Sequence, residues 1–96
     1  MIRVLLADDH PALRMGLRVL LDRAPDIEVV GEADDGNAAL ALLESLRPDV
    51  AVLDCQLPGL DGAAVAQEAT RRGLPAHIVA LSAYDDDRYL TGMLAA

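Results

Sequence analysis

Apolar and polar positions fall in blocks along this chain, and the blocks change their period as the chain proceeds. Ile2 to Ala7 is a short apolar run interrupted only by Arg3 and ended by Asp8-Asp9-His10, which reads as a buried strand. Pro11 suits the first position of a helix, and Leu13, Leu17, Leu20 and Leu21 recur at helical spacing to about Arg23. Ala24-Pro25-Asp26 breaks that helix. Ile27 to Gly31 predicts a second strand, with Glu28 among its apolar residues as on a sheet edge. Asp35-Gly36-Asn37 opens a second helix that places Ala39, Leu42, Leu43 and Leu46 on one face and ends before Pro48. The third strand, Asp49 to Asp54, contains the unbroken apolar run Val50 to Leu53, a pattern suited to cover on both faces. Pro58-Gly59 then forces a turn. Asp61 is placed to cap a third helix from about Gly62 to Arg72, with Val65, Ala66 and Ala69 inward, and Gly73 and Pro75 end it. His77 to Leu81 predicts a fourth strand, and Asp85 to Ala96 a fourth helix with a stripe of Tyr89, Leu90, Met93 and Leu94.

Regular strand–helix alternation means an α/β fold: a parallel sheet with helices on both faces and right-handed crossovers. Ligands of such sheets bind beyond the carboxyl ends of the strands, where the strand order reverses. That rule selects Asp8 and Asp9 after the first strand, Asp54 at the end of the third and Ser82 after the fourth. If the first and third strands are neighbours, three carboxylates converge on one crevice, and their mutual repulsion calls for a cation between them. Mg²⁺, which takes one or two carboxylates, a carbonyl and several waters, is the natural partner; no His or Cys cluster favours zinc. Each group alone has a plainer account. Asp8-Asp9 would suit the positive end of a helix dipole, and Asp54 could be a turn carboxylate held by backbone N–H groups.

Composition narrows the classes. The 96 residues make one small domain, and 53% of them are hydrophobic, enough material for a core. Sixteen acidic residues against eight basic ones give a net charge of −8, which argues against direct binding of nucleic acid or an anionic membrane. The single cysteine, Cys55, offers no disulfide framework, fits a reducing cytoplasm and reads as a small buried residue. The opening Met-Ile-Arg-Val-Leu-Leu-Ala-Asp-Asp is too short an apolar run for a signal peptide, and no stretch would span a bilayer. His10 could approach the crevice, yet helix entry beside Pro11 accounts for it, and a solvated first turn accounts for Asp85-Asp86-Asp87.

Leu5-Leu-Ala-Asp-Asp-His-Pro11, Val52-Leu-Asp54, Leu57-Pro-Gly-Leu-Asp-Gly62 and Leu81-Ser-Ala83, in that order, resemble the receiver domain of two-component response regulators. The Asp-Asp-His-Pro opening, Val29-Val-Gly-Glu-Ala-Asp-Asp-Gly36 and the Ser-Ala-Tyr-Asp-Asp-Asp run are most similar to the branch carrying a LuxR/NarL/FixJ-type helix-turn-helix output. The resemblance implies a flavodoxin-like (CheY-like) doubly wound sheet with strand order 2-1-3-4-5. It implies that Asp54 accepts a phosphoryl group from a phosphohistidine on a sensor histidine kinase. It further implies that Asp9 binds Mg²⁺ directly and Asp8 mostly through water, with Asp54 and the backbone carbonyl of Gln56 completing the protein ligands. Ser82 would then sense the phosphoryl group through its hydroxyl and Ala83 through its backbone N–H. The implied protein is cytoplasmic and regulatory rather than an enzyme, and it assists its own Mg²⁺-dependent phosphorylation and dephosphorylation.

Departures from that pattern set further expectations. Residues 1–96 read as a receiver domain incomplete at its C-terminus: order 2-1-3-4, without the fifth strand, its lysine and the fifth helix. All eight basic residues are arginine, so no lysine cation is available to a phosphoryl oxygen, and poor phosphorylation of this segment alone is expected. His77–Leu81 would be a bare apolar edge, open to a homodimer across that edge or through an exchanged terminal helix. Two other classes stay open. One is an unphosphorylated pseudo-receiver acting as an interaction or dimerisation scaffold. The other is an aspartate-nucleophile phosphatase of the haloacid dehalogenase type, which would want a second aspartate where Gln56 stands.

Overall fold

The computed structural model describes residues 1–81, so Ser82, Ala83 and the helix expected over Asp85–Ala96 lie outside the described residues. Four strands, β1 (Ile2–Ala7), β2 (Ile27–Ala33), β3 (Val50–Asp54) and β4 (His77–Leu81), form one parallel sheet in the order β2-β1-β3-β4. Three helices connect them: α1 (Pro11–Asp22), α2 (Gly36–Leu46) and α3 (Gly62–Arg71). The expected α/β class, the parallel pairing and the adjacency of the first and third strands are all present.

Local chemistry explains most boundaries. Pro11 occupies the first turn of α1, where its missing N–H costs nothing. The Asp35 side chain accepts from the Ala38 N–H at 2.7 Å and Asp61 from the Ala64 N–H at 2.8 Å, each satisfying an otherwise unpaired donor at a helix start. Gly73, at φ +68°, reverses the chain after α3, a conformation that costs a residue with a Cβ more than glycine.

One face of the sheet carries the main core. Leu5 and Ala7 of β1 and Ala51 and Leu53 of β3 pack with Ala39 and Leu43 of α2 and Val65 and Ala69 of α3, all of them buried. Leu42 and Leu46, expected on the inward face of α2, are only partly buried, and Leu40 is buried instead. Val4 and Leu6 point to the opposite face, as alternate residues of a strand must. There α1 packs beside β1 and β2, yet none of its residues is buried, and Leu13, Met15, Val19 and Leu20 are all exposed. Cover of β3 is therefore unequal: Ala51 and Leu53 are buried, while Val50 and Val52 are only partly so.

Residues missed at the end of β2 have a physical explanation. The register of β1 on β2 slips between Val4 and Leu5, which pair with Val29 and Gly31, so Val30 is extra and the strand continues to Ala33. Gly31 sits where α2 presses closest: a Cβ there would lie 2.9 Å from Leu46 Cδ1. The glycine that looked like a strand end is a close-approach point within the strand.

Candidate functional site at the carboxyl edge of the sheet

Strand register places the acidic residues together. Ala7 of β1 is level with Leu53 of β3, so the next residues, Asp8 and Asp54, emerge side by side at the carboxyl edge. Asp8 is held there because its N–H donates to the Ala33 carbonyl at 3.0 Å, extending the pairing one residue beyond β1. Asp54 is level with Leu81, the last described residue of β4. The loop after β3 folds back under the site. Leu57 is buried within it, the Gly36 N–H donates to the Pro58 carbonyl at 3.0 Å, and Gly62 packs so tightly on β3 that a Cβ would stand 2.6 Å from the Asp54 carbonyl oxygen.

Asp8, at 0% exposure, and Asp54, at 2%, are the buried charged residues among those described. Oδ1 of Asp8 accepts the backbone N–H of His10 at 2.7 Å, and Oδ1 of Asp54 accepts the N–H of Gln56 at 3.1 Å. The remaining oxygen of each, Oδ2, is buried with no hydrogen-bond partner among the described residues. A buried carboxylate oxygen without a donor is costly. Asp9 is partly exposed beside them, and ligand atoms of Asp8, Asp9, His10 and Asp54 all lie within 4.8 Å of one another. Two buried carboxylates, each with an unpaired oxygen among the described residues, beside a third carboxylate are what a hard divalent cation satisfies, so the residues present fit such an ion.

On the sequence, His10 could approach the crevice but is accounted for by helix entry beside Pro11. Its backbone does cap α1, but without a side-chain capping bond. The ring turns into the cluster instead: Nδ1 lies 3.1 Å from Asp8 Oδ1, 3.0 Å from Asp9 Oδ1 and 3.5 Å from Asp54 Oδ2. The hydrogen bond to Asp8, followed by the Asp9 charge, raises the His10 pKa above its ordinary value of 6.5. The available signal was its place directly after the two aspartates, in a turn short enough to fold back on Asp8. Arg14 was missed. Its Nη1 donates to the Asp8 backbone carbonyl at 2.8 Å while Nε pairs with Glu32 at 3.2 Å, tying α1 and β2 to the turn that carries the site. The backbone of Gln56 is at the site through its N–H, while Cys55 faces the neighbouring strand, Sγ donating to the Leu81 carbonyl at 3.0 Å.

The sequence and the fold are shared with known proteins. Residues 4–96 match the response regulator receiver domain family. Over 85 residues the chain is 46% identical to the probable transcriptional regulatory protein NarL of Mycobacterium tuberculosis, covering 88% of this chain and 39% of that protein. Over 87 residues it is 44% identical to the transcriptional regulatory protein LiaR of Bacillus subtilis, covering 91% of this chain and 41% of that one. The chain thus spans about two-fifths of the length of these curated relatives. Among solved structures, the signal receiver domain of the putative response regulator NarL from Mycobacterium tuberculosis superposes with a TM-score of 0.89 at 42% identity, covering 98% of this chain and 76% of that one. Fold, the acidic cluster at the carboxyl edge and sequence agree: the chain belongs to the response regulator receiver domains, with NarL- and LiaR-type regulators among its relatives.

Proposed function

We propose that this chain is a phosphoacceptor switch in which Asp54 takes a phosphoryl group from a phosphohistidine of a sensor histidine kinase. The observation that carries this reading is the convergence of Asp8, Asp9 and Asp54, two of them buried with an unpaired oxygen each. An Asp54 carboxylate oxygen forms the new P–O bond as the P–N bond of the donor breaks, and the imidazole leaves with the electron pair and picks up a proton. Mg²⁺, when bound, supplies charge neutralisation to the phosphoryl oxygens; Asp8, Asp9, Asp54 and the Gln56 carbonyl would hold it. Fixing Asp54 Oδ1 on the Gln56 N–H orients the carboxylate for the attack. Ser82 and Ala83 follow Leu81, which is level with Asp54, and are the proposed hydroxyl and N–H donors to the added group. New strong acceptors beside them bias the segment beyond β4.

The relatives' names as transcriptional regulators, together with their greater length, support a DNA-binding output domain elsewhere in the full protein. We place the protein in the cytoplasm on the strength of its membership of the receiver family. We read the chain as the receiver part of a longer regulator. β4 is the last strand of the sheet among the described residues, and a homodimer formed by pairing along that edge is the proposed assembly.

Incubation with a small phosphodonor and Mg²⁺, read by ³¹P NMR or intact mass, tests the reading. A Mg²⁺-dependent acyl phosphate is expected and should be lost in Asp54→Asn. Uptake that survives that substitution, or that ignores Mg²⁺, would overturn it. Absence of uptake in the full-length protein would favour the scaffold reading.

A further inference from the structure

We propose that His10 is itself a metal ligand, and that its Nδ1 turns the acidic crevice from a site for Mg²⁺ alone into one that prefers divalent transition ions of the Mn²⁺ to Ni²⁺ class. This rests on the reading of the crevice as a cation site and adds the donor that decides which cation. Geometry carries it. Nδ1 faces three carboxylate oxygens at once, at 3.0, 3.1 and 3.5 Å. A neutral imidazole has at most one hydrogen at that nitrogen and can satisfy only one of them.

The spacing is that of ligands around an ion. Donors about 2.1 Å from a metal stand roughly 3 Å apart when adjacent and roughly 4 Å apart when opposite, and the four donor atoms all lie within 4.8 Å of one another. The ring is held in place by its own turn: the His10 N–H is bonded to Asp8 Oδ1 at 2.7 Å and Pro11 follows at the start of α1. The side chain is 55% exposed, so Nε2 can keep its hydrogen toward water and leave the Nδ1 lone pair for the ion, the division of labour usual in histidine ligands. Mg²⁺ is an oxygen-seeking ion, whereas affinity for a site with a nitrogen donor rises along the divalent series that starts at Mn²⁺ and runs to Ni²⁺. Three carboxylates with one imidazole therefore favour the latter.

Pulsed EPR of Mn²⁺ bound to the full-length protein tests the assignment. A ¹⁴N coupling from a directly bound imidazole is expected, lost in His10→Ala and kept in His77→Ala, since His77 starts β4 at the far end of the sheet from Asp54. Competition titrations should show His10→Ala weakening Mn²⁺ by about tenfold or more and Mg²⁺ by far less. Mn²⁺ that binds, requires Asp9 and Asp54, and shows no ¹⁴N coupling would overturn the role of His10 while leaving the acidic site intact. Mn²⁺ that does not bind, or binds equally to Asp9→Asn and Asp54→Asn, would overturn both readings.

Discussion

Replacing Asp54 by Asn should make the metal-free protein more stable. Asp54 is 2% exposed and Asp8 0%, and each has a buried oxygen without a donor among the described residues. With the ligand atoms no more than 4.8 Å apart, two ionised carboxylates repel by about 3 to 4 kcal/mol at an effective dielectric constant near 20. The His10 ring beside them offsets part of this. Asn keeps an oxygen for the Gln56 N–H, removes one charge and brings an NH₂ that can donate to Asp8. A net gain of about 1 to 3 kcal/mol follows, in line with the cost of an unsatisfied buried group. For a domain of this size that raises Tm by about 4 °C or more. Differential scanning calorimetry in EDTA reads it directly. Saturating Mg²⁺ should then narrow or reverse the gap, because an ion at a hundred times its Kd stabilises the wild-type protein by about 2.7 kcal/mol and the variant by less. An Asp54→Asn protein that melts at or below the wild-type temperature in EDTA would refute the argument that the site stores uncompensated charge.

Three further outcomes follow from other parts of the molecule. Gly36→Ala should cost more than about 3 kcal/mol by urea denaturation, because its Cβ would fall 1.6 Å from the Leu60 carbonyl oxygen; Gly16→Ala, with nothing within 4 Å among the described residues, should stabilise α1 by about 0.5 to 1 kcal/mol. Arg14→Ala frees the Asp8 carbonyl and leaves Glu32 to Arg18 alone, so calorimetric titration should show divalent-cation affinity falling by about tenfold with the fold intact by circular dichroism. The Glu68 carboxyl is held down to about 2 by hydrogen bonds from Arg71 and then Arg72. Its contribution is therefore complete above the unfolded value near 4.5 and is lost as pH falls toward about 2. Glu68→Gln should flatten the decline of Tm across that window, and an unchanged slope would show that the pair contributes nothing.

Much of this was legible in the chain because the governing rules are local. Strand ends at Ala7, Asp54 and Leu81 follow from where apolar runs stop, and Asp61 declares the start of α3 by the capping bond it makes. Neighbouring of β1 and β3, on which the acidic crevice depends, followed from the resemblance and not from periodicity. The bulge at Val30 was hidden because a glycine in a strand pattern looks the same whether it ends the strand or admits a neighbouring helix. The leucines of α1 show which side of that helix is apolar, but not how completely a partner covers it. His10 was visible as a neighbour of the crevice but its contacts depend on the fold of one turn, and Arg14 escaped notice because its role depends on a strand more than a dozen residues away.

The seating of α1 has a consequence for how the molecule breathes. Beside the partly buried Leu17 and Leu21, Arg14 and Arg18 both grip Glu32, so ion pairs are part of what fastens the helix to β2. Exposed ion pairs are weak and yield to salt, so the amides of α1 belong with the first to exchange their hydrogens while those of β1 and β3 stay protected. The turn bearing Asp9 and His10 is joined to that loose helix at one end and to the most protected strand at the other. It is thus the place at which small openings of the fold would meet the acidic edge of the sheet.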